Sequence, residues 1–483
     1  MKSFLKCKSF LFPRFHSKLN INRLSTLNAN NIAVIHEINK DASPSEAKVS
    51  TLFVPGRHGG TVYQIVKPII DSNYIEKNAM NIERSSKARG IELDVHHLLK
   101  IMNEWIIKKE KHQNASDKFL ELEEESNRFK ELNFIEEANA LRKQSTECLE
   151  EIKLAKKELY DIEDLVMPLL AKIPNTLDPL TPLLNDSVAV HVEPSKNNSI
   201  SLSHTEIGER LSLLEFVHVS PTAYFLKSSL AELEMLAQNY FSDKLQEMQF
   251  APMSCVDFVK SFILEATGLD PYSCDQCIPL KNNKASFKVI QNLNLVGGAT
   301  FQSLCAYLIN MNTSVETLPA KYYSIGRHYE SGNRNSKKPS LFSVVQSSSI
   351  HSLVLEEPTN ETTEFDSMLQ VLLTCYSHFK IPFRTVVVAA PRLNCTESCR
   401  VQIELWSPAM LCYVPVAYVS RHNDFVSKRL HISYGVQHNI NGYCAIVEGT
   451  VVNVPVLLGC LIENYANKNG DVNFEKLYEL FDQ

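Results

Sequence analysis

The sequence predicts an α+β protein, with an N-terminal antiparallel helical hairpin followed by a core of mostly antiparallel sheet flanked by helices. Three observations predict it. Residues 84–172 are helically patterned, with no proline before Pro168 and a single glycine, Gly90, near the start. Beyond about residue 176 come runs rich in Val, Ile and aromatic residues: KVIQNLNLV, RTVVVAA, RVQIELW, RLHISY and YCAIVEGTVV. Such runs have the composition of strands. Helical patterns at Ser228–Glu247 and Glu364–Phe379 lie between them, and mixed order of this kind favours an antiparallel sheet covered by helices.

The N-terminus differs from the rest. Lys2, Lys6, Lys8, Arg14, Lys18 and Arg23 fall among Ser3, Ser9, Ser17 and Ser25, and no acidic residue precedes Glu37. Basic, serine-containing and acid-free is the composition of a mitochondrial transit peptide. Residues 1–30 are therefore expected to direct import to the mitochondrial matrix, with 31–77 a linker. The hairpin, assigned to 78–175, is drawn as Val95–Leu132 and Phe134–Ala171 with Asn133 at the tip. Leu141, Leu149, Ile152, Leu159, Ile162 and Val166 recur at spacings near three and four, so they are expected to form its seam. Pro168 and Pro174 are expected to end it. Residues 176–483 form the core.

Charge limits the partners. The net charge is −6, which is not the footprint of an autonomous nucleic-acid binder. Between Lys100 and Asp164 the arm carries 12 basic and 17 acidic residues, whereas a grip on RNA phosphates needs a basic excess. Only Lys153, Lys156 and Lys157 form a basic stripe. The longest apolar run, Val451–Ile462, is broken by Asn453 and Pro455 and falls short of the ~20 residues that span a bilayer.

Familiar catalytic motifs are missing. The sequence has no GxxxxGK[ST], GxGxxG, HExxH or GxSxG. Gly297-Gly298 reads as a turn or close backbone approach. Cys274 and Cys277, with Cys395 and Cys399, are spaced too loosely to require zinc, and ordinary thiols are the favoured reading. His328, His351 and His431 are scattered, and Ser347, Ser348 and Ser349 have no base beside them in sequence. No metal and no cofactor is expected.

Five segments in order resemble the seryl-tRNA synthetase family over roughly residues 78–483. AKIPNTLDPLTP resembles the arm-to-core junction IPNxxHPxxP. LNLVGGATF resembles the serine-site segment LNLxGTAEV, and LPAKYYSIGRHYESG the approach to class II motif 2. NDFVSKRLHISY resembles TDFQxRRLxIxY. VVNVPVLLGCLIENYAN resembles motif 3, with its acidic residue as Glu463. Trp406, Asp424-Phe425, Arg429-Leu430 and Glu463-Asn464-Tyr465 also fit. The resemblance implies a class II synthetase-like core carrying a tRNA-binding-arm-like hairpin.

The departures fall on positions that the resemblance makes catalytic. Gly298-Ala299-Thr300 stands where Thr-Ala-Glu would hold the serine ammonium. Glu330 stands for the motif 2 arginine on the ATP α-phosphate, Ser343 for the next ATP-facing arginine, and His351 for a glutamate. Pro415 replaces another glutamate, Glu448 the asparagine near serine, and Val456 the motif 3 arginine. Thr450 is kept. In motif 1, Val256 stands for the proline. Losing one preorganised charge costs ~10²–10³ in rate, so losing several together implies no adenylation. Such a chain resembles the insect mitochondrial seryl-tRNA synthetase-like proteins. That resemblance implies a non-catalytic partner of the active mitochondrial seryl-tRNA synthetase, a role in mitochondrial homeostasis, and contact with mitochondrial serine tRNA through that partner. The heterodimer is expected to use the surface around Tyr224–Pro252, with Leu230, Leu233, Leu236, Tyr240 and Leu245 exposed in the isolated subunit. The alternative is a divergent, ATP-dependent serine–tRNA ligase whose site is rebuilt from Arg327, Arg334, Lys337 and Lys338.

Overall fold

The computed structural model describes residues 50–56, 66–194, 202–217, 220–271, 277–280, 292–330, 338–436 and 439–482. The expected transit segment lies outside the described residues, as do Arg334, Lys337 and Cys274.

The arm is a hairpin of α1 (Val95–Glu131) and α2 (Ile135–Ala171). The Asp94 side chain starts α1 by accepting from the His97 N–H at 2.9 Å, which satisfies one of the otherwise unpaired first-turn donors. Asn133 makes the turn with φ 63°, a left-handed conformation that asparagine tolerates. Near the core the seam is apolar, with Leu98, Met102 and Trp105 buried in one cluster with Leu159, Ile162 and Val166. Towards the tip, polar groups take over. Ser126 Oγ donates to the Ala138 carbonyl at 3.0 Å and Ser145 Oγ to Glu123 at 2.8 Å. Lys111–Glu158 ties the helices at 3.0 Å.

The two helices lie within one residue of those drawn from the sequence but differ in detail. Cys148 and Ala155 are buried, while Leu149 faces solvent. Pro168 does not end α2; the helix runs on to Ala171. Val166, Met167 and Leu170 are buried there, and their packing offsets the hydrogen bond that the proline removes. In the basic stripe, Lys153 already pairs with Glu150 at 2.7 Å. Residues 50–56 are not free linker. Leu52 and Phe53 are buried. The Glu265 carboxylate accepts from Ser50 Oγ at 2.5 Å, from Thr51 N and Oγ1 at 2.6 Å, and from Leu52 N at 3.1 Å.

The core is built on an eight-stranded sheet: β1 (Ser187–Val192), β2 (Ala251–Met253), β3 (Ala320–Tyr329), β4 (Gln346–Glu356), β5 (Phe383–Val387), β6 (Cys399–Ser407), β7 (Cys412–Arg421) and β8 (Ala445–Asn453). The order is β1-β5-β6-β7-β8-β4-β3-β2, antiparallel except for the β2–β3 pair at the edge. β5, β6 and β8 fall on the expected runs. RLHISY splits instead: Arg429-Leu430 end a helix, Phe425–Leu430, and a strand starts at Ser433. The left-handed His431, φ 57°, turns the chain so that Leu430 and Ile432 are both buried.

Two cores sandwich the sheet. Because side chains alternate along a strand, Ile350 and Val354 of β4 enter one core and Leu353 and Leu355 the other. The first core contains α3 (Ser229–Glu247), α5 (Glu361–His378) and α6 (Val454–Tyr465). The second contains α4 (Phe301–Leu308), the helix Phe425–Leu430 and the base of the arm. The expected exposed stripe on α3 is not exposed. Leu230, Leu233, Tyr240 and Leu245 are buried within their own subunit and Leu236 is partly buried, where they cover the sheet.

Candidate functional site

The strand register decides which side chains share the second face of the sheet. His351 on β4 pairs with Ser324 of β3 and Thr450 of β8, and the next residue on its face, Leu353, pairs with Glu448. Glu448 in turn pairs with Ser420 of β7, which pairs with Arg400 of β6. His351, Thr450, Glu448, Ser420, Tyr418 and Arg400 therefore line one face. Ser348 and its partner Arg327 fall on the other.

At the centre lies a buried His–Glu–His arrangement. Glu448 Oε1 is 3.0 Å from His422 Nε2, and Oε2 is 2.9 Å from His351 Nε2. Tyr418 OH donates to Oε2 at 3.2 Å. The His351 contact is close but not aligned as a hydrogen bond, and His422 Nδ1 is buried without a hydrogen-bond partner. Phe301 stacks on the group, with its ring centroid 4.8 Å from that of His422 and 6.5 Å from that of His351. Burial alone would raise the Glu448 carboxyl; the contacts with His351 and His422 overcome this and bring it down to about 2. Thus a carboxylate is neutralised in place, and an aromatic ring covers it.

Most of the other positions singled out in the sequence make structural contacts. Gly297, at φ +95°, lies so close to β3 that a Cβ there would stand 2.0 Å from the Arg327 carbonyl oxygen. Gly298 N–H donates to Asp257 at 2.8 Å. The glycine pair is thus a close backbone approach. Thr300 caps α4, accepting from Ser303 N–H and donating to the Gly297 carbonyl at 2.8 Å. Glu330 sits half-exposed just past β3, its Oε1 3.7 Å from His328 Nε2, and desolvation raises its carboxyl. Desolvation, then the charge of His351, lowers His328 to about 4, so His328 brings no positive charge at neutral pH. Ser343 is exposed. Pro415 sits on β7 opposite Glu404, at a bulge, where its missing N–H does least harm. Val456 is buried in the first core, its N–H on Asn453 Oδ1 at 3.4 Å.

Among the described residues, each arginine of the eight-stranded sheet has a carboxylate partner. Arg327 bonds Ser348 at 2.5 Å and lies 3.5 Å from Glu234 of α3, on the face opposite His351. Arg384 pairs with Glu404 at 2.6 Å, Arg400 with Glu397 at 2.6 Å, and Arg421 with Asp178 at 2.7 Å and Glu361 at 3.2 Å. Lys338 is exposed. A triphosphate needs unpaired, preorganised cations.

Sequence reasoning singled out His351 and Glu448 but missed His422, Tyr418, Glu397 and Arg400. His422 stands one residue before NDFVSKRL, and nothing in its local pattern marks it. It belongs to the site only because the end of β7 meets β8. Glu397, His422 and Glu448 each present a possible ligand atom, all within 4.8 Å of one another and all buried. Cys395 and Cys399 are free thiols.

The antiparallel sheet, the buried α6 against its first face and the helical arm define a class II aminoacyl-tRNA synthetase-like fold. Solved structures agree. Seryl-tRNA synthetase from Pyrococcus horikoshii, complexed with ATP, superposes with a TM-score of 0.70 at 18% identity, covering 86% of this chain and 98% of that one. Cytoplasmic serine–tRNA ligase from Naegleria fowleri gives 0.69 at 19%, covering 85% and 97%. No family profile matches the chain. Within the class, the chain is a relative of the seryl-tRNA synthetases. It is 26% identical to the serine–tRNA synthetase-like protein Slimp of Drosophila melanogaster over 430 residues, covering 86% of this chain and 89% of that protein. It is 24% identical to the serine–tRNA ligase of Borreliella afzelii, covering 84% and 96%. The mitochondrial serine–tRNA ligase of Bos taurus is 25% identical over 347 residues, covering 69% of this chain and 65% of that enzyme.

Proposed function

We propose that this protein is a non-catalytic, mitochondrial seryl-tRNA synthetase paralogue that acts as a partner subunit of the active mitochondrial enzyme and serves mitochondrial homeostasis through it. One observation carries the reading: where an adenylating site needs open cations, Glu448 is locked between His351 and His422 and each sheet arginine has a carboxylate partner. The basic, acid-free N-terminus and the mitochondrial relatives support the matrix as its location. Contact with mitochondrial serine tRNA comes through the partner, because the arm is acidic.

The partner surface follows from exposed apolar groups in the stretch that includes motif 1. The Leu230–Leu245 stripe is core, but Phe225 is 60% exposed, Met235 63% and Val256 55%. Apolar groups left open in this way mark interaction sites when they cluster.

Size-exclusion chromatography with light scattering tests assembly. The expected result is a shift to a heterodimer when mitochondrial seryl-tRNA synthetase is added; an unshifted monomer at micromolar concentrations refutes the proposal. Serine-dependent ATP–pyrophosphate exchange separates the ligase alternative. No exchange above background is expected, whereas exchange abolished by Arg327→Ala would establish that alternative.

A further inference from the structure

The buried histidine–carboxylate group has more donor atoms than its hydrogen bonds use. Glu397, His422 and Glu448 come from three separate stretches of chain, are 1%, 1% and 2% exposed, and bring ligand atoms within 4.8 Å of one another. His351 reaches Glu448 from a fourth stretch. One nitrogen stands out: His351 Nε2 has no hydrogen-bond partner although it lies 2.9 Å from Glu448 Oε2. Orphaned buried polar atoms normally cost about 1–3 kcal/mol each, so they are rare unless something satisfies them.

The spacing has a second meaning. Around a zinc ion, ligand atoms at ~2.0–2.1 Å from the metal stand about 3.3 Å from each other in a tetrahedron. Their lone pairs then point at the ion and not at their neighbours. A nitrogen–oxygen approach near 3 Å that is not aligned as a hydrogen bond has that character. His351 Nε2 approaches Glu448 Oε2 in that way at 2.9 Å, and the His422 Nε2 hydrogen bond to Glu448 Oε1 at 3.0 Å would give way to the ion by opening a few tenths of an ångström. Charge points the same way. Two buried carboxylates within 4.8 Å repel each other, and while Glu397 has Arg400 on Oε1 at 2.6 and 2.8 Å, Glu448 faces only the two imidazoles and Tyr418.

We propose that His422, Glu448 and Glu397, with His351 beside Glu448, form a buried site for a divalent transition-metal ion, with zinc as the best match. Imidazole nitrogen with carboxylate oxygen suits zinc and its neighbours better than magnesium or calcium, which take oxygen alone. The three ligand residues are buried and Phe301 packs on His422, so the ion is structural and ties the segment before β6, the end of β7 and β8 together. Tyr418, bonded to Glu448 Oε2, orients the ligand from behind, as outer-shell groups do. The proposal is independent of the partner reading: an ion could be present with or without a partner.

The test uses the full mature chain, stripped with chelator and titrated with Zn²⁺ by calorimetry, with metal content read by mass spectrometry. One zinc per chain is expected, with Mg²⁺ failing to compete. His422→Gln and Glu448→Gln should weaken binding by more than the about 10–100-fold that loss of an outer-shell partner costs, and Tyr418→Phe by about that amount. No stoichiometric zinc, or zinc that survives both ligand substitutions unchanged, overturns the proposal. If those variants fail to fold, the Co²⁺-loaded wild type decides. Intense four-coordinate visible bands without a thiolate charge-transfer band support the site, and weak six-coordinate bands or a thiolate band overturn it.

Discussion

Glu448→Gln isolates the charge at the centre of the site while keeping its shape. A carboxyl held at about 2 in place of its ordinary 4.5 favours the ionised form in the native state by about 3 kcal/mol. Glutamine mimics the protonated form and also leaves His351 and His422 facing a neutral group. Breaking a buried pair by removing one partner typically costs about 3–5 kcal/mol, so a loss of about 3 kcal/mol at pH 7 is expected. The pH dependence has a definite sign. Native Glu448 binds its proton more weakly than the unfolded chain does, so its contribution is complete above the unfolded value of 4.5 and is lost as pH falls from there towards 2. Urea unfolding of metal-free wild type and variant, followed by circular dichroism at pH 7 and pH 3, measures both effects. The gap should be wide at pH 7 and narrower at pH 3. Equal stability at pH 7, or a gap unchanged at pH 3, would refute the assigned network.

Three further outcomes are expected. Gly297→Ala should lower the melting temperature, because the new Cβ meets the Arg327 carbonyl oxygen at 2.0 Å in a backbone region unsuited to side chains; a cost of about 1–3 kcal/mol follows from the conformation alone. Leu233→Ala should cost about 2–5 kcal/mol as a core truncation, whereas the exposed Met235→Ala should stay within about 0.5 kcal/mol in the isolated chain and instead weaken binding of the synthetase partner. N-terminal sequencing of protein recovered from mitochondria should find a start between about residues 20 and 45, and material still beginning at Met1 would contradict import processing.

Much of the architecture is legible along the chain, because periodicity is a local property. The arm announces itself by helical spacing uninterrupted by proline, and Asn133 by being the turn-tolerant residue between two helices. Strands β5, β6 and β8 are runs of Val, Ile and aromatic residues, since strands buried on both faces need apolar side chains at nearly every position. β4 is hidden because its first half is QSSSI; serines read as loop until neighbouring strands bury them. Pro168 misleads for a related reason, since its local cost is outweighed by core contacts that no window of sequence contains.

The site divides in the same way. Residue type at single positions is visible in sequence, so the departures at Glu330, Ser343, Pro415 and Val456 from what the resemblance implies can be read there. The buried His–Glu–His group is not visible there. His351, Glu397, His422 and Glu448 are spread over 98 positions, from 351 to 448, and meet only through the β4–β8 and β7–β8 registers. A one-residue slip in either register would send a member to the opposite face. Arg327 shows the converse: its sequence neighbourhood offers a replacement cation, and strand alternation turns it away towards Glu234 on α3. Residue chemistry is a property of the chain, but which charges neutralise one another is set by strand pairing over long separations.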